Sequence, residues 1–187
     1  MRLLAYFSIA QSGYLLMGVA ALSHSGQGLR ALVYYAIAYA ATNLAAFAAV
    51  LAVQRERRSV QVEAFRGLGR THPWWTAALV LSFLSLLGLP PLAGFFGKLE
   101  VFKAAIDAGQ TWLAAIAILN TVVSLYYYLR VIAPAILDSG QRAPARPPRS
   151  APLTAALAVT TAATVGFGLA AEPLLRLADH ARMLAGG

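Results

Sequence analysis

The sequence predicts an all-α polytopic membrane protein whose chain crosses the bilayer five times, with a discontinuous helix as the third crossing. Of its 187 residues, 59% are hydrophobic and 12% are charged, about half the charged share of a soluble protein. Long apolar stretches alternate with short segments rich in arginine, and one apolar stretch is interrupted by proline and glycine. These features indicate a single transmembrane domain over residues 1–187, with charged loops between its spans.

Four of the predicted spans are uninterrupted apolar stretches of about 20 residues or more, enough to cross a hydrocarbon core of roughly 30 Å. The first begins directly after Met1 and Arg2, so a cleaved signal peptide is the competing interpretation. This stretch is longer than the apolar region of a typical signal peptide, and Gln11, Ser12 and Tyr14 interrupt it. The predicted spans are residues 3–22, 31–53, 74–106, 112–137 and 151–171.

The third span, residues 74–106, is too long for one regular helix and too short for two full crossings with a turn. Its 33 residues would form a straight helix of about 50 Å. It contains Pro90 and Pro91, which cannot donate backbone hydrogen bonds. A non-helical backbone at membrane depth is tolerated only where protein or a water-filled cavity covers it. We therefore expect one crossing made of two half-helices, broken near residues 88–97.

Arginine is concentrated in two predicted loops, residues 54–73 and 138–150. Short loops rich in Lys and Arg face the cytoplasm. One discontinuous crossing followed by the span at 112–137 puts both loops on the cytoplasmic side, whereas two full crossings would put them on opposite sides. The charge pattern therefore favours the discontinuous helix and predicts an external C-terminus.

Lys98 is the residue that the sequence marks most clearly as functional, because it follows the interruption directly within an apolar stretch. A cation near the middle of a bilayer costs at least about 2.5–3.5 kcal/mol on insertion scales, so such residues are usually kept to move ions or protons. A buried amine can take up and release protons as its surroundings change. The alternative is a structural lysine that donates hydrogen bonds to carbonyls freed by the break.

Other polar residues within the spans fit either a hydrated proton path or hydrogen bonds between helices. Gln11 can hold water or orient a donor, although glutamine cannot change its charge. Glu100, Lys103 and Asp107 form a stripe along one helix, in which Glu100 points roughly away from Lys98. We expect this stripe to pair internally near the outer boundary. The remaining candidates for lining a path or for pairing are Ser12, Tyr14, Asn43, Asn120 and Ser124.

Composition argues against several other classes of function. The net charge of +8 would suit nucleic acid, but the arginines fall in loops between apolar spans and not on one soluble face. The chain has no cysteine, and its three histidines are too far apart for the ligand spacing of a metal site. We therefore expect neither a metal site in this chain nor a nucleic-acid partner, and no motif of a soluble enzyme is present.

Three segments resemble motifs of the antiporter-like membrane subunits of proton-pumping NADH–quinone oxidoreductase, or respiratory complex I. They are Arg2–Leu16 (RLLAYFSIAQSGYLL), Leu86–Lys98 (LLGLPPLAGFFGK) and Leu125–Val131 (LYYYLRV). The second is similar to a broken helix of these subunits, in which a lysine follows the break. The third is closest to the pattern of subunit N. The segments follow the family's order, and the resemblance covers nearly the whole chain.

The resemblance implies that the chain corresponds to the C-terminal portion of subunit N and holds one half-channel at most. It implies that Lys98 is a proton relay and that Gln11 takes a position where relatives often carry histidine. An acid at Glu100 departs from the family pattern. The expected location is the bacterial plasma membrane, where the partners are the lipid bilayer, protons and other membrane subunits.

The resemblance also implies that this chain holds no cofactor, because NADH, flavin, iron–sulfur clusters and quinone are expected on partner subunits. Two other functions stay open. One is a subunit of a multisubunit cation/proton antiporter or of a membrane-bound hydrogenase. The other is a purely structural membrane scaffold. The segment Leu125–Val131 favours the oxidoreductase.

Overall fold

The computed structural model describes residues 2–22, 27–138 and 150–185, with side chains described for residues 5–22, 27–138 and 150–180. Most of the predicted loop 138–150 lies outside the described residues. All regular structure in the described residues is helical. The helices are α1 (Arg2–Ala20), α2 (Gln27–Arg57), a 3-10 turn (Val62–Phe65), α3 (Leu68–Thr71), α4 (Pro73–Leu87), α5 (Ala93–Asp107), α6 (Thr111–Leu137), α7 (Ala151–Leu169) and α8 (Ala171–Ala185).

Among the described residues, α2, α6 and α7 are long and apolar enough to cross a membrane. These helices correspond to the predicted spans at 31–53, 112–137 and 151–171, and α2 is longer than predicted at both ends. The prediction of an all-α, multi-pass membrane protein is therefore confirmed. Helix α1 matches the span at 3–22, whereas α4 and α5 have only 15 residues each.

Helix α2 lies at the centre of the fold and packs against α1, α4, α5, α7 and α8. Alanine is the commonest residue at its buried positions, which include Ala31, Ala38, Ala45 and Ala49, each at most 1% exposed. Small residues allow helix backbones to approach closely within a membrane, where dispersion contacts and hydrogen bonds hold helices together. The composition of α2 therefore explains how five helices pack around it.

Residues 88–92 are not helical and separate α4 from α5. Gly88 directly follows α4 and has a φ of 89°, a left-handed conformation that glycine adopts without strain. Helix α7 packs closely on this segment, because a Cβ atom at Gly168 would lie 2.0 Å from the carbonyl oxygen of Pro91. Helix α7 therefore covers one side of this segment, where Leu92 is buried, while Leu89, Pro90 and Pro91 are exposed in the described fold.

The segment 54–73 contains helical turns over much of its length, whereas the sequence predicts a loop there. Helix α2 continues to Arg57, and the 3-10 turn and α3 follow. The Arg57 Nη1 atom donates to the carbonyl oxygens of Ala64 (2.7 Å) and Arg66 (2.8 Å). Phe65 and Leu68 are buried beneath this turn. An arginine interpreted only as a topology signal therefore also organises the segment.

Helix α8 was not predicted, since the last predicted span ends at residue 171. Its first three turns pack against α2 through Leu174 and Ala178, which are buried with Tyr34 and Ala38. Exposed Glu172 and Arg176 pair across one turn at 3.2 Å on the opposite side. The helix is too polar for a transmembrane span, so a search for continuous apolar stretches could not find it.

The two glycines of α7 provide a test of its packing. Gly168→Ala should lower the free energy of unfolding by about 1–3 kcal/mol, because the new Cβ atom would overlap the Pro91 carbonyl oxygen. Gly166→Ala is the matched control, since no atom lies within 4 Å of a Cβ there. Thermal unfolding of the detergent-solubilised chain measures both. Equal midpoints for the two variants would contradict the close packing of α7 on residues 88–92.

Candidate functional site

Lys98 lies in the second turn of α5, directly after the interruption, and is only 5% exposed. Its Nζ atom donates to the carbonyl oxygen of Leu87 at 3.1 Å and to Thr121 Oγ1 at 3.4 Å. It also lies 4.5 Å from the centre of the Tyr14 ring. None of the ion pairs among the described residues includes Lys98. The amine is therefore held by a carbonyl, a hydroxyl and an aromatic face.

Gln11 of α1, which is 3% exposed, contacts the C-terminal end of α4, as Lys98 does. Its Nε2 atom donates to the carbonyl oxygen of Leu86 at 3.0 Å, and Tyr35 donates its hydroxyl hydrogen to Gln11 Oε1. Gln11 and Lys98 thus bond to the last two carbonyls of α4, which have no partner within their own helix. The structure brings the two together at one place.

The remaining terminal carbonyls of α4 are also paired. The Leu84 carbonyl accepts from the backbone N–H groups of Gly88 (3.1 Å) and Leu89 (3.0 Å), and the Ser85 carbonyl accepts from Gly88 at 2.9 Å. The last four carbonyls of the helix therefore all have donors. Backbone N–H groups of the turn donate to the carbonyls of Leu84 and Ser85, and side chains of α1 and α5 donate to those of Leu86 and Leu87.

A small pocket, with room for about one water molecule, lies between Gln11 and Lys98. Its polar lining includes Thr42 Oγ1 and Ser85 Oγ, which are 3.1 Å apart. Ser85 Oγ also accepts from the backbone N–H of Gly94 at 3.1 Å, which ties the start of α5 to the end of α4. The lining residues are Gln11, Tyr35, Tyr39, Thr42, Ser85, Leu86, Gly94 and Lys98.

A second polar group lies on the other side of Lys98, between α1 and α6. The hydroxyl oxygens of Tyr14 and Thr121 are 2.7 Å apart, and Tyr14 donates to the carbonyl oxygen of Ala117 at 3.1 Å. Asn120 Nδ2 donates to the Tyr14 hydroxyl at 3.4 Å. Tyr14 and Asn120 are therefore the predicted candidates that join Lys98 on this side.

Three predicted candidates do not join either group. Ser12 donates to the Ser8 carbonyl at 2.9 Å within α1, and Ser124 donates to the Asn120 carbonyl at 2.8 Å within α6. Asn43 is half-buried on α2 but does not line the pocket. Each of the two serines is therefore bonded to the backbone of its own helix.

Glu100 and Lys103 belong to a separate ionic group. Glu100 lies 3.9 Å from Lys103 and 3.6 Å from Arg30 Nε on α2, which is also 3.6 Å from Asp179 on α8. Asp107 is exposed and takes part in none of the ion pairs found among the described residues. Arg30 therefore links α2, α5 and α8.

Sequence reasoning missed Thr121, Tyr35, Thr42, Ser85 and Arg30. The signal for Thr121 was present, since a hydroxyl beside Asn120 in an apolar helix suggests a polar contact. Nothing in the sequence connects residues 14 and 121, which meet only after folding. Within the residues that the structure describes, no group of three acidic or histidine side chains is placed to hold a metal ion.

The helices and the buried amine define a multi-pass helical membrane protein with an ionisable side chain at a helix interruption. Residues 1–124 match the family described as "NADH:quinone oxidoreductase/Mrp antiporter, TM". The chain belongs to this family, which confirms the resemblance drawn from its motifs.

Relatives and solved structures agree with this assignment. The chain is 42% identical over 180 residues to the NADH-quinone oxidoreductase subunit N of Geotalea uraniireducens, covering 95% of this chain and 38% of the relative. Among solved structures, it is similar to a chain of the Mrp complex from Dietzia sp. DQ12-45-1b (TM-score 0.81, 27% identity, 96% and 41% coverage). It is also similar to a chain of respiratory complex I from Thermus thermophilus with bound aureothin (TM-score 0.73, 31% identity, 94% and 39% coverage). The chain thus spans about two fifths of these proteins.

The ionic group around Arg30 generates a prediction about α8. Arg30→Met should loosen α8 from α2, because Glu100 and Asp179 would lose the cation between them. The chain has no cysteine of its own, so a cysteine at Leu174 reports its exposure. Leu174 is 7% exposed, and labelling of Leu174→Cys by a water-soluble maleimide should be slow, then become several-fold faster in the Arg30→Met background.

Leu177→Cys serves as the control, since Leu177 is 57% exposed on the same helix. It should be labelled rapidly with or without Arg30. Unchanged slow labelling at position 174 after the Arg30 substitution would mean that apolar packing alone holds α8 in place.

Proposed function

We propose that this chain is part of a proton-translocating membrane subunit of an NADH–quinone oxidoreductase, with Lys98 as its proton-relay residue. The observation that carries the proposal is the buried Lys98 amine at the interruption between α4 and α5. Family membership and the 42% identity to a protein named subunit N support it. In this proposal, NADH, flavin, iron–sulfur clusters and quinone are bound by partner subunits.

The surroundings of Lys98 suit a side chain whose charge changes. A carboxylate within a few ångströms would favour the charged form. Lys98 instead has the Leu87 carbonyl and the Thr121 hydroxyl as its polar partners. These groups can bond to an ammonium group or to a neutral amine, because both forms carry N–H donors. The site therefore supports repeated uptake and release of a proton.

The pocket beside Lys98 offers a route for a proton through bound water. Polar side chains, including Gln11 and Thr42, surround it, and water needs such partners to stay ordered. Gln11 lines this pocket and bonds to the Leu86 carbonyl and the Tyr35 hydroxyl, so we propose that it orients water there. Asn120 belongs to the polar group around Tyr14 and not to the pocket. Ser12 and Ser124 donate to carbonyls of their own helices and Asn43 does not line the pocket, so we assign none of these three to the path.

Contacts at the two ends of α2 support a single discontinuous crossing. Glu56 near one end lies 3.0 Å from His72, which precedes α4, whereas Arg30 near the other end contacts Glu100 of α5. Arg30 and Glu56 are 26 residues apart, or roughly 39 Å along a helix. We propose that α4 and α5 together traverse this distance once, since neither is long enough alone.

The other helices fit five crossings of alternating direction. Arg55 contacts Ser150 at the start of α7, and Tyr34 contacts the Phe167 carbonyl near its end, so α7 runs antiparallel to α2. The end of α6 returns to the arginine-rich segment, where the Gly67 N–H donates to the Pro134 carbonyl. We propose that this segment is cytoplasmic and that α8 lies at the external surface.

A second candidate function is a subunit of a cation/proton antiporter. The similarity to a chain of the Mrp complex, at a TM-score of 0.81, favours it. The higher identity to subunit N, at 42% against 27%, favours the oxidoreductase. Co-purification of the intact protein distinguishes them, because NADH-oxidising partner subunits are expected only for the first.

The topology is tested by fusing reporters to the chain after Arg58, Asp107 and Ser150. A fluorescent reporter that folds in the cytoplasm should be bright after Arg58 and Ser150, and an alkaline phosphatase should be active only after Asp107. If the positions after Arg58 and Ser150 lie on opposite faces, α4 and α5 are two separate crossings.

The relay role is tested by substitution of Lys98 in the complete subunit, assembled with its partners. Lys98→Ala should reduce proton pumping roughly tenfold or more, in the range lost with a proton-transfer group. Lys98→Arg should also impair it, because guanidinium effectively never deprotonates. The measurement is proton uptake into inverted membrane vesicles during NADH oxidation, normalised to the abundance of the complex.

Lys103→Ala is the matched control, because the Lys103 side chain is 60% exposed and pairs only weakly with Glu100. It should pump at close to the unmodified rate. Normal pumping by Lys98→Arg would show that the site needs a fixed charge and not a titrating one, and Lys98 would then be a structural brace.

A further inference from the structure

The Thr121 hydroxyl connects the Lys98 amine to the Tyr14 phenol. Its oxygen lies 3.4 Å from Lys98 Nζ and 2.7 Å from the Tyr14 hydroxyl oxygen. The first distance is long for a hydrogen bond, and the second is optimal. A single hydroxyl therefore touches both the buried amine and a second hydroxyl that lies farther from it.

The two partners of Lys98 differ in what they can do. The Leu87 carbonyl only accepts hydrogen bonds, so it cannot pass a proton onward. The Thr121 hydroxyl both donates and accepts, so it can accept from an ammonium group or donate to a neutral amine. Of the two, only Thr121 can exchange a proton with the amine and stay neutral.

The polar side chains beyond Thr121 lead from the buried amine toward the surface of the described fold. Lys98 is 5% exposed, Thr121 is half-buried and Asn120 is exposed. The Tyr14 hydroxyl lies between Thr121 and Asn120, with contacts of 2.7 Å and 3.4 Å. These four side chains therefore form a continuous polar connection from the buried amine to the edge between α1 and α6.

We propose that Thr121 and Tyr14 form the proton-transfer step between Lys98 and the edge of the fold between α1 and α6. This inference rests on the proposed function. In the outward direction, the Lys98 ammonium N–H bond breaks as a bond to Thr121 Oγ1 forms, and the original Thr121 hydrogen moves to the Tyr14 oxygen. The original Tyr14 hydrogen passes to a water molecule beside Asn120. The products are a neutral amine, two unchanged hydroxyl groups and one hydronium ion.

The Tyr14 ring has a separate effect on the same amine. Its face lies 4.5 Å from Lys98 Nζ, within the range in which an aromatic ring attracts a cation. Tyr14→Phe keeps this face but removes the hydroxyl. That substitution therefore separates the proposed transfer from the electrostatic support that the ring supplies.

The experiment measures NADH-driven proton uptake into membrane vesicles per assembled complex, with the complete subunit in place. Thr121→Val and Tyr14→Phe should each lower the uptake roughly three- to tenfold, the range that the loss of one hydrogen bond produces. Thr121→Ser should restore it, because serine keeps the hydroxyl. A role in packing alone would not be rescued by a hydroxyl on a smaller side chain.

Thr160→Val is the matched control for the loss of a threonine hydroxyl. Thr160 donates only to backbone carbonyls of its own helix, Ala156 at 2.7 Å and Leu157 at 3.4 Å. Its replacement should leave uptake unchanged, with normal abundance of the complex.

Lys98→Ala in the same series distinguishes a failure of the transfer step through Thr121 and Tyr14 from a failure of the relay role of Lys98. If Lys98→Ala abolishes uptake while Thr121→Val and Tyr14→Phe pump normally, the relay residue stands and this transfer step is wrong. If Lys98→Ala pumps normally in an assembled complex, the proposed function fails, and this step fails with it.

Discussion

Satisfaction of the backbone at the end of α4 is the constraint on which the rest of the site depends. A carbonyl without a donor in the membrane interior costs several kcal/mol, and Pro90 and Pro91 cannot supply an N–H group to it. Gly88 and Leu89 turn back on the helix, and Gln11 and Lys98 donate to the last two carbonyls. Two helices far apart in sequence are thus fixed to one helix end, and the polar pocket forms between them.

Much of the fold followed from simple sequence features. Apolar length predicted α1, α2, α6 and α7, because a bilayer core demands about 20 residues of helix. The segment 54–73 and α8 are harder to predict, since both are rich in charged residues and neither contains an apolar stretch long enough to cross a membrane. Arg57 folds the first by bonding to backbone carbonyls, and Leu174 and Ala178 anchor the second. The contacts of Arg57 have no apolar signal in the sequence, whereas α8 has an apolar face with helical periodicity that a search for long apolar stretches does not detect.

The candidate site was predictable only in part. Lys98 could be identified because a cation in an apolar stretch is costly wherever the chain folds. Its partners could not, because Tyr14, Leu87 and Thr121 lie on three other helices and meet it only in three dimensions. The partners of Glu100 were likewise only partly predictable. Spacing along one helix indicated Lys103, but Arg30 approaches from α2.

The contact between Lys98 and the Leu87 carbonyl is compatible with either charge state of the amine, which bears on the proposed relay role. An ammonium group has three N–H donors and can bond to Leu87 and Thr121 together, whereas a neutral amine has two donors and one lone pair. The neutral amine can therefore keep its bond to Leu87 while its lone pair accepts from Thr121. In the proposed relay, the end of α4 therefore keeps the Lys98 donor in both charge states, so proton release does not leave the Leu87 carbonyl without a partner.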